Sequence, residues 1–169
     1  MPHPRVEVRP SRGPHNSLLH AFRDVSRWRV AWNMLWLSGS KACPWFAVKS
    51  WMVRRAGVRV GRHVAIGLGV QFDVLFPGRI TVEDDVVLGY NTTVLAHGYL
   101  RDSYQVGDVR IGRGACVGAN STVLAGVTVG EGAVVGAMSL VNRDVPPGEF
   151  WAGVPARRVQ ELGQVADHE

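Results

Sequence analysis

From Val60 onward the chain repeats in steps of six. The hexads run VGRHVA, IGLGVQ, FDVLFP, then VEDDVV, LGYNTT, VLAHGY, then IGRGAC, VGANST, VLAGVT, VGEGAV, VGAMSL and VNRDVP. Every first position is Val, Ile, Leu or Phe, and the fifth is mostly small. A half-buried strand repeats every two residues and an amphipathic helix every 3.6, so a sustained six fits neither alone. Glycine at the second position drops out in the third hexad of each group, making eighteen residues the full unit. Three short strands around a triangle account for that number. The expected fold is an all-β solenoid of about four coils, residues 60–77, 82–99, 111–128 and 129–146, with the aliphatic first positions stacked inward. Each coil can bury its apolar face only against its neighbours. Glycine, 20 of 169 residues, supplies turn geometries that a side chain would penalise.

The rest of the chain is a different object. Residues 1–57 carry ten Lys/Arg against Glu7 and Asp24, whereas residues 58–169 carry nine Arg against twelve acids. Five of the six tryptophans lie in the first third, and seventeen of the twenty glycines follow Gly57. The boundaries drawn are a basic, Trp-rich helical leader at 1–57, the repeat at 58–162 and a tail at 163–169. In the leader, Leu18, Phe22, Val25, Trp28, Trp32 and Leu35 recur at three- and four-residue steps, which predicts one apolar helical face. Pro44 divides that run from a second one, Trp45 to Val53. Two uses fit: a cap over the open first coil, or an interfacial anchor with arginines on anionic lipid, through residues 18–55. Nucleic acid is a poor third, because no base-reading motif accompanies the charge.

The repeat breaks immediately after His97. The next hexad is due at residue 100 but the frame resumes only at Ile111, eleven residues late, so a loop over 98–110 must leave the solenoid. Loops on rigid scaffolds often carry function. A histidine at the base of one is suited to act as a general base, and equally can be a turn residue facing solvent. Two cysteines, Cys43 and Cys116, are too few for a disulfide framework or a four-thiolate zinc site. The start lacks the pattern of a signal peptide, and no run of eighteen apolar residues reads as a spanning helix, which places the protein in the cytoplasm or at the inner membrane face.

The hexads, followed by Asp144-Val145-Pro146-Pro147 and Gly153-Val154-Pro155-Ala156-Arg157, resemble the hexapeptide-repeat acyltransferases, a family that includes the maltose and galactoside O-acetyltransferases. From Asn16-Ser17-Leu18 onward the chain is also similar to a less-characterised bacterial branch with a basic, aromatic leader. The resemblance implies a left-handed parallel β-helix with an N-terminal helical extension and a short C-terminal helix. It implies a homotrimer that moves an acyl group, acetyl by expectation, from acetyl-CoA or another acyl-CoA to a small-molecule or glycan hydroxyl. It makes His97 the catalytic base and puts Asp73 where the sugar enzymes carry an acceptor-binding asparagine. Ala119, Ala137 and Asn142 would line the coenzyme groove, with Arg143 and Arg157 near the phosphates. Cys116 takes a position where the sugar enzymes often have tryptophan. No metal is expected, since a zinc site of three histidines, as in a β-helical carbonic anhydrase, would have only His63 and His97 before the tail. The remaining rival is a catalytically silent scaffold that binds a partner or a membrane.

Overall fold

A computed structural model of the chain describes residues 3–11, 15–21 and 25–161. The hexads form a three-sided prism of mostly two-residue strands. One sheet joins β2 (Arg59–Val60), β5 (Ile80–Val82), β10 (Val109–Ile111) and β13 (Thr128–Val129). A second joins β3 (Ala65–Ile66), β6 (Val87–Leu88), β11 (Cys116–Val117) and β14 (Val134–Val135). The third joins β4 (Gln71–Phe72), β7 (Thr93–Val94), β12 (Thr122–Val123) and β15 (Leu140–Val141). Pairing is parallel and follows the sequence frame: Val60, Val82, Ile111 and Val129 stack, as do Phe72, Val94, Val123 and Val141. Val60 is partly buried, and none of the other eleven first positions is more than 4% exposed. Each such side chain contributes ~1.5–3 kcal/mol of burial.

The glycines divide between the turn role expected and a second one. Positive φ falls at the fourth hexad position, held by Asn91 (φ 54°), Asn120 (φ 57°) and Met138 (φ 58°) as well as by glycine. The second-position glycines exist for close stacking: a Cβ on Gly118 would lie 2.4 Å from the backbone nitrogen of Ala137 in the next coil. Corners turn at position four, and coils touch at position two.

Two segments depart from expectation. The residues looped out of the solenoid are ordered as a hairpin of β8 (His97–Tyr99) and β9 (Ser103–Val106), and β1 (Glu7–Pro10) adds to it as a third antiparallel strand. The leader is thus not wholly helical. After the last coil, β16 (Glu149–Ala152) and β17 (Arg157–Glu161) pair antiparallel on the second sheet. The short C-terminal helix is therefore corrected to strand as far as Glu161, because this segment covers the edge left by β14. Residues 162–169, which include the tail, lie outside the described residues.

The leader's helices, α1 (Arg27–Ala42) and α2 (Phe46–Arg55), pack on each other and on the first coil. β2, β3 and β4 are the open edges of their sheets, with backbone groups that nothing in the solenoid can satisfy. Side chains from the helices supply partners. Lys49 Nζ donates to the carbonyls of Ile66 and Gly67, each at 3.0 Å. Arg54 reaches those of Val60 and Gly61, and Asn33 Nδ2 that of Val74 at 2.8 Å. The Gly69 amide donates to the Lys41 carbonyl at 2.9 Å. The inward face of the helices consequently holds Asn33, Ser40, Lys49 and Ser50 beside Leu37 and Val53. The predicted apolar face is on the outside: Trp28, Trp32 and Leu35 are exposed, as is Leu18, while Val25 is buried and Phe22 lies outside the described residues.

Candidate active site

His97 begins β8, where the chain leaves the third sheet after Val94. Its Nδ1 meets Asp73 Oδ2, directly below it in the first coil. Asp73 is fully buried and accepts from four donors: the Leu75 and Phe76 amides at 2.9 and 3.0 Å, the Ala96 amide at 2.8 Å, and His97. Burial pushes this carboxyl up, but the hydrogen bond and charge of His97, with the Phe76 and Ala96 amides, hold it below the usual carboxylate range. An ionised carboxylate only accepts, so Nδ1 carries the proton and Nε2 is left as the acceptor nitrogen. The ring is steadied by Phe76 and Tyr99, with centroids 5.7 and 5.2 Å away, and Tyr99 stacks on Tyr104.

This geometry corrects one expectation. Asp73 has no surface left for an acceptor, because it lies beneath His97 with its oxygens already engaged. It holds the His97 ring instead.

His97 lines a cleft of about 300 Å³ with Gly98, Gln105, Leu124, Ala125 and Asn142. Asn142 Oδ1 is buried there with no hydrogen-bond partner among the described residues. His3 and Val6 complete the wall. His3 is held by Asp144, which also takes Arg5 and the Thr128 amide. Sequence reading missed this N-terminal wall, although the alternation in Val6-Glu7-Val8-Arg9 was a strand signal. A larger hollow of about 740 Å³, bordered by Arg54, Arg110, Glu83 and Asp84, shares no lining residue with the cleft. Its Arg110 and Glu83 already pair with each other at 2.6 Å.

The family of bacterial transferase hexapeptides (six repeats) matches residues 108–143. YvoF of Bacillus subtilis (strain 168), named as an acetyltransferase, is 41% identical over 145 residues, covering 85% of this chain and 84% of its own length. This chain belongs to the hexapeptide-repeat acetyltransferases. Its fold is the left-handed parallel β-helix of that family. Galactoside acetyltransferase in complex with coenzyme A superposes with a TM-score of 0.67 at 19% identity, over 84% of each chain. A Vibrio cholerae O1 biovar eltor hexapeptide-repeat acetyltransferase, complexed with acetyl-CoA, gives 0.62 at 20% identity, covering 81% of this chain and 88% of that one.

Within a single chain of this acetyltransferase, the residues expected to hold the coenzyme lie apart. Asn142 and exposed Arg143 follow β15, on the same prism edge as His97. Ala119 and Ala137 follow β11 and β14, on the edge between the second and third sheets. Arg157 is exposed on β17, its Nη1 donating to the Ala156 carbonyl at 2.7 Å. Cys116 faces outward on the second sheet, where burial raises its thiol pKa, and it does not border the His97 cleft. His63 is exposed and lies 3.3 Å from Asp85, at a corner remote in the coil from His97.

Proposed function

We propose that this acetyltransferase moves an acetyl group from acetyl-CoA to a hydroxyl of a sugar or sugar-containing acceptor, with His97 as general base. The observation that carries the reading is the buried Asp73 beneath His97, at the point where the solenoid opens into the cleft. A solvent-facing turn histidine has no need of a buried carboxylate with four donors. With Nδ1–H on Asp73, Nε2 takes the acceptor proton as its oxygen attacks the thioester carbonyl. The Asp73 carboxylate then stabilises the imidazolium, and the coenzyme leaves as its thiol after receiving that proton. Asn142 Oδ1 offers an acceptor to an amide N–H of the coenzyme arm, and Arg143 and Arg157 offer cations to its phosphates.

A homotrimer fits the same residues. Ala119 and Ala137 sit on a different edge from Asn142 and His97, so a groove between two neighbouring prisms would unite what one prism separates. The reading places the enzyme in the cytoplasm, and a lipid-linked acceptor suits its basic leader.

His97→Ala should lower turnover ~10²-fold or more while acetyl-CoA binding by calorimetry stays within about twofold. Unchanged turnover removes His97 from the chemistry. Absence of acetyl-CoA binding by the parent would favour a silent scaffold.

A further inference from the structure

The two leader helices are inverted relative to an ordinary surface helix pair: they bury Asn33, Ser40, Lys49 and Ser50 and expose their tryptophans. Capping the open coil explains the inward polar side. It does not explain the outward apolar one. Trp28 is 87% exposed, Leu35 64% and Trp45 69%, with Trp32, Met34, Phe46, Val48 and Trp51 also exposed. Trp28, Trp32 and Leu35 follow an i, i+4, i+7 spacing along α1, opposite Leu37 and Ser40. The two helices present one continuous surface, because Trp36, edge to face with Trp32 of its own helix at 5.6 Å, meets Trp51 of α2 edge to face at 5.0 Å. The Trp32 indole N–H also bonds the Arg55 carbonyl at 3.1 Å. Apolar area of this kind on a water-facing surface marks a partner.

Charge selects the partner. No acidic residue occurs between Asp24 and Asp73, a stretch that carries Arg27, Arg29, Lys41, Lys49, Arg54, Arg55, Arg59 and Arg62. Arg29, Arg54 and Arg55 are exposed, and Arg55 lies over the Trp51 ring at 5.8 Å. A second copy meeting this face with its own would set arginine against arginine, and neither helix carries an acid to relieve them. An anionic bilayer satisfies both properties, with indoles at headgroup depth and guanidiniums on lipid phosphates.

We propose that the outer face of α1 and α2 docks this enzyme on an anionic phospholipid bilayer, first coil towards the lipid. Docking deepens the reading of a lipid-linked acceptor and rests on it only for the acceptor's whereabouts, because binding is measured without turnover.

The test is flotation of the full chain with vesicles of phosphatidylcholine alone and of phosphatidylcholine with phosphatidylglycerol. Binding is expected only with the anionic lipid, falling as salt rises. Trp28→Ser with Leu35→Ser should weaken it roughly tenfold. Arg29→Ser with Arg55→Ser should weaken it roughly fivefold per arginine, and this second pair decides the matter if the first does not fold. Both variants should retain parent turnover on a soluble acceptor, so a failed acyl-transfer reading and a failed docking reading show in different assays. Equal binding to both vesicle types, or none, overturns docking. So does a variant that changes sedimentation size without changing vesicle partition, which would give the face to a second copy.

Discussion

The solenoid and its cap solve opposite burial problems, and each holds one ionisable group almost wholly out of water. In the coils, burial is apolar and repeated. Ile111, Val117 and Val123 stack on like residues above and below, and the lone inward carboxylate, Asp73, is engaged by amides and His97. In the cap, the inward face is set by the carbonyls of an unfinished sheet, so Lys49 is 1% exposed and bonded to Ile66 and Gly67. Burial holds its ammonium below the ordinary lysine range. One region hides carbon from water, whereas the other hides backbone oxygen with cations. Hydrophobic pattern is therefore a sound guide to the inside of the first region and a misleading guide to the second.

Substitutions can break that contrast. Ile111→Ala should cost about 4 kcal/mol in urea unfolding, since it cavitates a stacked row. Lys49→Met keeps the volume but strips two carbonyls of their donor, at about 3 kcal/mol. A cost under about 1 kcal/mol would mean that water replaces the ammonium. Asp73→Asn should cost about 1–2 kcal/mol at neutral pH. The Asp73 carboxyl titrates lower in the folded chain than in the unfolded one, so its contribution is whole above about pH 4 and is lost as pH falls through the folded value. The gap between parent and variant should close in acid; a gap that widens there would reverse the assignment. Trp28→Ser should move stability by less than about 0.5 kcal/mol. A cost near that of Ile111→Ala would show that the outer face is packed.

The repeat was readable because the same demand recurs twelve times: one large apolar side chain per hexad, in a frame that the strand register reproduces from Val60 to Val141. The excursion after His97 was readable as an interruption of that frame. Its partner was not, because Asp73 and His97 are 24 residues apart and only stacking of the first coil beneath the second joins them. Asp73 was seen as a polar residue of the site, but its role changed once its burial was known. Which way the cap faces was not readable, for a physical reason. The spacing of Trp28, Trp32 and Leu35 marks a helical face correctly, but spacing carries no sign for which side is inward. The N-terminal strand escaped because four residues of alternation are a faint signal beside a long basic leader.

A parallel coil is a template for another coil, and the prism has two such templates, one at each end. Left bare, the edges at β2, β3 and β4 could accept the far end of a second molecule, and that molecule a third. The product would be a fibre with no natural length. The cap helices plug one end with side-chain donors, and β17 reverses direction at the other, offering an incoming coil no parallel partner. Growth by stacking is thus opposed at both ends, at the far one through the second sheet.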